Sequence, residues 1–181
     1  MRLYLVRHCA PLAAPGVCYG RTDLPVDPAE HQRMLPGLRA SLPRDGVLFS
    51  SPLQRCAQLA RQLPCASLSF DARLAELDFG AWEMRSWDDI ARSEIDAWAA
   101  DVAHYRPGGG ECLFDMALRV HDFHKDLVRS APEAAIVVCH AGTMRLLAAC
   151  RGGAAPLEMA REAAREPHRI GYGEVVVLAG E

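Results

Sequence analysis

The sequence predicts an α/β fold, a three-layer sandwich in which a mainly parallel central sheet is covered by helices on both faces. Short apolar runs that suit strands buried on both faces recur along the chain. Segments with helical spacing of apolar residues alternate with them. No linker interrupts the 181 residues. We therefore expect one domain over residues 1–181, a size that buries about 70% of its unfolded surface.

The predicted strands are short and carry few polar residues. Arg2–Arg7 is apolar and partly aromatic at its centre, so we expect this strand in the middle of the sheet. The other predicted strands are residues 46–50, 65–70, 135–139 and 174–178. In an open sheet of this kind, ligands bind outside the carboxyl ends of the strands.

The helices are predicted from apolar periodicity and from capping residues. Residues 27–42 have helical spacing, but Pro36 requires a late start or a break near that point. Ser51 and Pro52 have the pattern of an N-cap followed by proline, which places Arg55 in the first turn of the next helix. Further helices are predicted over residues 87–103, 113–127 and 144–150.

Composition excludes several classes of function. The net charge is −3 and the 20 Lys and Arg residues are scattered, so we expect no nucleic acid or membrane as partner. Residues 1–6 lack a cationic leader, and no apolar run approaches the roughly 18 residues of a membrane span. The seven cysteines include no Cys-x-x-Cys pair, which argues against a zinc site or disulfide framework. A cytoplasmic protein with free, buried cysteines is expected.

Two predicted strands end in a histidine. His8 follows the first strand and His140 follows residues 135–139, so both lie where an α/β sheet places its ligands. A single histidine is more often structural, but this matched pair favours a functional role. We expect structural roles for the histidines without such a setting, His31, His104, His121, His124 and His168.

Two arginines lie at comparable positions. Arg7 precedes His8, and Arg55 lies at another junction between strand and helix. Their guanidinium groups are suited to bind a phosphoryl group together with backbone donors, without a metal. The alternative for Arg55 is a surface position on an amphipathic helix.

The chain resembles the histidine phosphatase superfamily, whose hallmark is Arg-His-Gly after the first strand. The matching segments, in order, are residues 7–9, 51–55, 74–83, 109–111 and 140–142. The resemblance implies a phosphoglycerate mutase-like fold and no cofactor. It also implies that His8 accepts a phosphoryl group held by Arg7, Arg55 and His140, with Glu76 as proton donor. Asp78 and Glu83 are alternative donors, although we expect Glu83 to tie its loop to the sheet.

Within the superfamily, residues 16–25 and 82–85 are most similar to α-ribazole phosphatases. This implies a small phosphate ester as substrate, either α-ribazole 5′-phosphate or adenosylcobalamin 5′-phosphate. Arg21 and Thr22 are then candidate substrate contacts, unless they form a plain surface turn. A mutase acting on phosphoglycerates, a broad-specificity phosphatase and a non-catalytic phospho-ligand binder remain alternatives. A homodimer is left open.

Cys9 departs from the family pattern, which has glycine after the histidine. A side chain must therefore be accommodated where glycine would adopt many conformations, or the local turn differs. A thiol next to two cationic groups could ionise and make activity sensitive to oxidation. The alternative is that Cys9 is an inert apolar filler.

Overall fold

The computed structural model describes residues 1–165, 167 and 169–179, so His168 lies outside the described residues. Five strands form one sheet in the order β3-β2-β4-β1-β5, and only β5 is antiparallel to its neighbour. The strands are β1 Arg2–Arg7, β2 Val47–Ser50, β3 Ser67–Phe70, β4 Ala134–Cys139 and β5 Val175–Leu178. The predicted mainly parallel α/β sheet is therefore confirmed.

Helices cover both faces of this sheet. Leu3 and Leu5 of β1 pack into one cluster with the apolar sides of α4, α5 and α6. Tyr4 and Val6 point to the opposite face and pack with α1 and α2. This alternation follows from the two-residue period of a strand and produces three layers. The helices are α1 Pro28–Ser41, α2 Gln54–Ala60, α3 Arg92–Ala100, α4 Leu113–Ser130, α5 Ala141–Arg151 and α6 Pro156–Ala164.

The register of the parallel strands places the two strand-end histidines side by side. Arg7 of β1 pairs with Cys139 of β4, and the next residues along the two strands are His8 and His140. The His8 N–H continues the ladder by donating to the Cys139 carbonyl over 3.1 Å. Two residues 132 positions apart in sequence are thus brought together by backbone pairing.

Helix α1 runs without a break through Pro36, contrary to the prediction of a late start or interruption. Pro36 is exposed, as is Gln32, whose carbonyl loses its helical partner and can face water. Leu35 and Leu38, on either side of the proline, are buried against the sheet. Their burial offsets the missing hydrogen bond.

Three predicted helix boundaries were wrong. Helix α2 begins at Gln54 with Leu53 as its N-cap, and the Ser51 hydroxyl oxygen lies 2.9 Å from Nε2 of His140 and accepts the Leu53 N–H over 3.4 Å. The segment predicted as one helix over residues 87–103 is a 3₁₀ turn at Trp87–Asp89 followed by the shorter α3. Helix α5 begins directly after His140, which is its N-cap, and α6 was not predicted. None of the described helices has the length and apolar content required to cross a membrane.

Candidate active site

A cavity of about 830 Å³ lies at the carboxyl ends of β1 and β4. Side chains from four separate parts of the chain meet in its wall. The structure brings together five of the predicted site residues, Arg7, His8, Arg55, Glu76 and His140. Among the described residues, no group of three His, Cys, Asp or Glu side chains is arranged to hold a metal ion.

His8 is buried and its tautomer is fixed by the backbone. Nδ1 lies 2.7 Å from the Cys9 carbonyl, which can only accept, so Nδ1 carries the proton. Nε2 therefore keeps its lone pair. Burial, and next the positive charge of Arg55, lower the pKa of His8 to about 3. The ring is thus neutral across the physiological pH range, with the Nε2 lone pair available.

His140 lies next to His8, with 5.0 Å between the ring centroids and 60° between the ring planes. Its Nε2 is 2.9 Å from the Ser51 hydroxyl oxygen, within hydrogen-bonding distance. Burial, and next the charges of His8 and Arg55, hold the pKa of His140 well below its usual value. Ser51 is a site residue that we did not predict. The sequence could have indicated Ser51, because this residue directly follows a predicted strand. That strand, β2, ends at Ser50 and pairs with β4.

Arg7 and Arg55 supply positive charge at the histidines. Arg7 donates to the Ile170 carbonyl and lies over the Tyr172 ring, 3.9 Å from its centroid. Arg55 is fully buried and donates to the carbonyls of Thr22 and Gly20. The predicted alternative of a surface position for Arg55 is therefore wrong.

Neither of these two guanidinium groups has a carboxylate partner among the ion pairs of the described residues. The Nε atom of each is buried and makes no hydrogen bond. A buried charge without a counter-charge is costly, and it favours the binding of an anion. The pair is suited to a phosphoryl group, whose oxygens match the guanidinium fork.

Glu76 also lines the cavity, and its carboxylate lies at the start of α5, the helix that His140 caps. Its Oε2 accepts the N–H of Gly142 over 3.0 Å, and its Oε1 accepts the N–H of Leu77 over 3.0 Å. A Cβ atom at position 142 would lie 2.4 Å from Oε1. The glycine is therefore required for the carboxylate to approach the start of α5.

The backbone around Glu76 is held by side chains of two helices. Arg119 in α4 donates to carbonyl oxygens between residues 73 and 76, at 2.6 to 3.2 Å. It also forms a two-point ion pair with Glu111, with N–O distances of 2.7 and 2.8 Å. The Thr143 hydroxyl of α5 lies 3.3 and 3.4 Å from carbonyls of the same segment. We did not predict Arg119 or Thr143, which stand in ordinary helical sequence.

Glu83 ties two loops together, whereas we predicted that it ties its loop to the sheet. Its carboxylate accepts the backbone N–H groups of Arg21, Thr22 and Phe79, over 2.7, 2.5 and 3.0 Å, and also the Thr22 hydroxyl. The Arg21 guanidinium lies 3.8 Å from the Asp78 carboxylate. Neither Arg21 nor Thr22 lines the cavity. These two candidate substrate contacts therefore do not reach the cavity. They belong to the loop that Glu83 joins to the segment around Phe79.

Cys9 is a buried filler, and the hypothesis that its neighbours ionise the thiol is wrong. It is fully buried in the cluster that contains Val6 and Leu35. Burial, and next the charge of Glu30, raise the pKa of Cys9 to about 11. Among the described non-glycine residues, positive φ angles occur only at Met84 and Ala131, so Cys9 has an ordinary backbone conformation.

Comparison with known proteins agrees with this geometry. Residues 3–170 match the model of the histidine phosphatase superfamily, branch 1. A putative alpha-ribazole-5′-P phosphatase from Escherichia coli superposes with a TM-score of 0.79 at 28% identity, covering 98% of this chain and 89% of that one. The alpha-ribazole phosphatase from Shigella flexneri gives 0.78 at 28% identity with the same coverage.

A curated relative is the probable phosphoglycerate mutase GpmB of Salmonella paratyphi C. It is 32% identical over 130 residues, which are 67% of this chain and 60% of the relative. The chain thus matches less than two thirds of the length of this relative. A mainly parallel sheet with paired strand-end histidines and two arginines that lack a carboxylate partner defines an α/β protein whose site is suited to phosphate. The chain belongs to the histidine phosphatase superfamily.

Proposed function

We propose that this chain is a phosphomonoesterase that works through a phosphohistidine on His8 and needs no metal. The Nε2 lone pair attacks phosphorus, the ester P–O bond breaks, and the leaving oxygen takes a proton from the Glu76 carboxyl group. Water then attacks phosphorus and gives its proton to Glu76. The P–N bond breaks, which releases phosphate and the neutral imidazole.

One observation carries the proposal: the Nδ1–H bond to the Cys9 carbonyl leaves Nε2 of His8 free and neutral in the cavity that holds two unpaired arginines. Arg7 and Arg55 would bind the non-bridging oxygens, and their charges would oppose the negative charge of the transferring group. A hydrogen bond from His140 to a non-bridging oxygen would further stabilise the transferring group.

The test is to trap the intermediate. Incubation with a ³²P-labelled phosphomonoester in EDTA, followed by rapid denaturation in alkali, should leave alkali-stable, acid-labile label on His8. His8→Asn should lose the label and the turnover, whereas His104→Asn, which removes an exposed imidazole outside the cavity, should keep both. Ester binding without phosphate release by the wild type would favour a non-catalytic phospho-ligand binder.

For the substrate, we propose α-ribazole 5′-phosphate or adenosylcobalamin 5′-phosphate. The similarity of residues 16–25 and 82–85 to α-ribazole phosphatases supports this, as do two solved structures that bear that name at 28% identity. We further propose one domain over residues 1–181, in the cytoplasm, where a chain with seven free cysteines stays reduced. A homodimer remains open.

A phosphoglycerate mutase is the second candidate, favoured by relatives that carry that name at 32% identity. Product analysis separates the two functions. A mutase returns an isomerised phosphoglycerate, whereas a phosphatase returns the free alcohol and inorganic phosphate. We expect stoichiometric phosphate release with no isomerised ester; a predominance of isomer over phosphate would contradict the proposal.

A further inference from the structure

Two tyrosines in the wall of the cavity are bonded to each other across a long stretch of sequence. Tyr19 and Tyr172 both line the cavity, and we call them the tyrosine pair. Their hydroxyl oxygens are 2.6 Å apart, although 153 positions separate the two residues. At this distance one hydroxyl donates a hydrogen bond and the other accepts it. The bond joins the loop between β1 and α1 to residues 170–174, which precede β5.

Each ring of the tyrosine pair lies against one of the two arginines of the site. The guanidinium carbon of Arg7 is 3.9 Å from the centroid of the Tyr172 ring. That of Arg55 is 5.6 Å from the centroid of the Tyr19 ring. Both distances are within the roughly 6 Å over which an aromatic face attracts a cation. A ring attracts a guanidinium group without neutralising it, so both groups keep their charge for an anion.

The same arginines also bind the backbone beside the tyrosine pair. Arg7 donates to the Ile170 carbonyl, two residues before one tyrosine. Arg55 donates to the Gly20 carbonyl, directly after the other tyrosine. Each guanidinium group thus contacts one segment through both a ring and a carbonyl, and the bond between the hydroxyls joins the two segments. A displacement of one arginine is therefore opposed by contacts that lead to the other.

These contacts take the place of the ion pairs that usually hold a buried arginine. Neither guanidinium group has a carboxylate partner among the ion pairs of the described residues, and the Nε atom of each makes no hydrogen bond. An arginine side chain that moves freely loses rotamer entropy when it binds an oxyanion. Contacts that hold the guanidinium groups before the anion arrives avoid this loss at the binding step. The tyrosine pair is the part of the arrangement that spans both arginines.

We propose that Tyr19 and Tyr172 are positioning residues that hold Arg7 and Arg55 at the separation that a phosphoryl group requires. The proposal rests on the proposed phosphatase function and adds two residues to its machinery. The tyrosine pair acts on the arginines, and these bind the phosphoryl group itself. Loss of the bond between the hydroxyls should therefore weaken the binding of free phosphate. It should also reduce turnover by the same factor whatever the leaving group.

The test is a double-variant cycle in which isothermal titration calorimetry measures the binding of inorganic phosphate. Tyr19→Phe and Tyr172→Phe remove the same hydrogen bond, so each should weaken phosphate binding about threefold. The double variant should bind phosphate no more weakly than either single variant, because nothing further is lost. Tyr172→Leu also removes the ring from Arg7, and it should weaken binding about tenfold. Tyr105→Phe, a matched change at a tyrosine that does not line the cavity, should bind phosphate as wild type does.

Steady-state kinetics add a second readout, which tests where the tyrosine pair acts. For each Phe variant, kcat/KM for p-nitrophenyl phosphate and for ethyl phosphate should fall by the same factor, about threefold. A loss confined to one ester would mean that the tyrosines contact the leaving group. Losses of phosphate affinity that add in the double variant would mean that each hydroxyl contacts the ligand separately. Either result would overturn the positioning role.

Failure of this proposal differs from failure of the proposed function. If wild type binds phosphate but hydrolyses no ester, the phosphatase function is wrong, and the cycle of phosphate affinities alone decides the role of the tyrosine pair. If wild type hydrolyses esters and the Phe variants bind phosphate as tightly as wild type, the function stands and the positioning role is wrong.

Discussion

At the histidine end of the cavity, His8 and His140 follow directly from paired strands, and backbone hydrogen bonds between β1 and β4 set their spacing. Glu76, by contrast, lies in the irregular residues 73–83, which we call the acid segment. This segment contains two short 3₁₀ turns and no strand. Its carbonyls accept hydrogen bonds from the side chains of Arg119 and Thr143, and its own Glu83 carboxylate accepts the N–H of Phe79.

This difference shows which groups of the site depend on single side chains. A strand in the middle of a sheet keeps its register when one neighbouring side chain changes, because many backbone hydrogen bonds hold it in place. The acid segment has fewer such hydrogen bonds. Removal of one side chain that binds it is therefore expected to move the Glu76 carboxylate. Substitutions should therefore divide into those that affect phosphoryl transfer to His8 and those that affect protonation of the leaving group.

The largest effect among these predictions is expected for Glu76→Gln. Loss of a general acid lowers turnover by about 10²- to 10⁴-fold for esters with basic alkoxide leaving groups. For p-nitrophenyl phosphate, whose leaving group needs no proton, the loss should be much smaller. Steady-state kinetics over a series of leaving groups measures this. A uniform loss across the series would contradict the role of Glu76 and favour Asp78 or Glu83 as donor.

The pH profile of wild-type kcat/KM for an alkyl ester tests the protonation state of His8. On the acid side, His8 should not limit the reaction of the free enzyme above about pH 4, because its pKa is about 3. An acid limb caused by His8 is therefore expected only when the pH falls well below 6.5. A limb that follows the ordinary titration of a histidine near pH 6.5 would contradict the buried, neutral state of His8.

A smaller loss of the same kind is expected for Arg119→Met. Without the guanidinium, carbonyls of the acid segment and the Glu111 carboxylate lose their partner, and a displacement of about 1 Å in a catalytic group costs up to roughly 10²-fold. Arg119 is a positioning residue, so its loss should appear with alkyl esters and be slight with p-nitrophenyl phosphate. In the double variant with Glu76→Gln, Arg119→Met should cause little further loss of turnover.

Arg73→Met is the matched control. Arg73 lies in the same segment, but its guanidinium pairs with the partly buried Asp71 and the exposed Asp126. None of these three residues lines the cavity, so the kinetics should not change. If Arg119→Met lowered kcat for alkyl esters and p-nitrophenyl phosphate by the same factor, Arg119 would be a structural residue only.

The same comparison explains what the sequence could predict. His8 and His140 were found because their position after apolar strands follows from local pattern, and parallel pairing then brings strand ends together. Arg55 and Glu76 needed the family resemblance, since a short helix and an irregular segment carry no periodic signal. Arg119 could not be found, because contacts between a helical side chain and distant carbonyls depend on packing. Arg21 and Thr22 were predicted to contact the substrate, but neither lines the cavity. The position of their loop also depends on packing that the sequence does not show.

Another prediction concerns stability in acid, where the buried histidine end should be the weaker part. The pKa of His8 is about 3 in the folded chain and 6.5 in the unfolded reference, so below pH 6.5 the unfolded state binds the proton more readily. Stability is therefore lost as pH falls from 6.5 towards 3, and His8 alone accounts for about 2 kcal/mol of this at pH 5.

His8→Asn should remove this contribution. Urea unfolding at pH 7 and pH 5 should show a decrease in the free energy of unfolding that is about 2 kcal/mol smaller in the variant than in wild type. His140 has the same direction of shift, so part of the pH dependence should remain. The exposed His104→Asn variant controls for the loss of one imidazole. Identical pH dependence in His8→Asn and wild type would show that His8 titrates normally in the folded chain.

The smallest effect is predicted beside the nucleophile itself, at Cys9. Its thiol is fully buried and its pKa is raised to about 11, so almost no thiolate is present at pH 7 to react with an oxidant. Mild peroxide should leave turnover unchanged, and Cys9→Ala should keep kcat within about twofold. Mass spectrometry should find oxidation first at Cys65, the one partly exposed cysteine of the seven. Inactivation of wild type that Cys9→Ala prevents would show that the thiol is reached through local opening of the β1 end, which would make the histidine end the more mobile of the two.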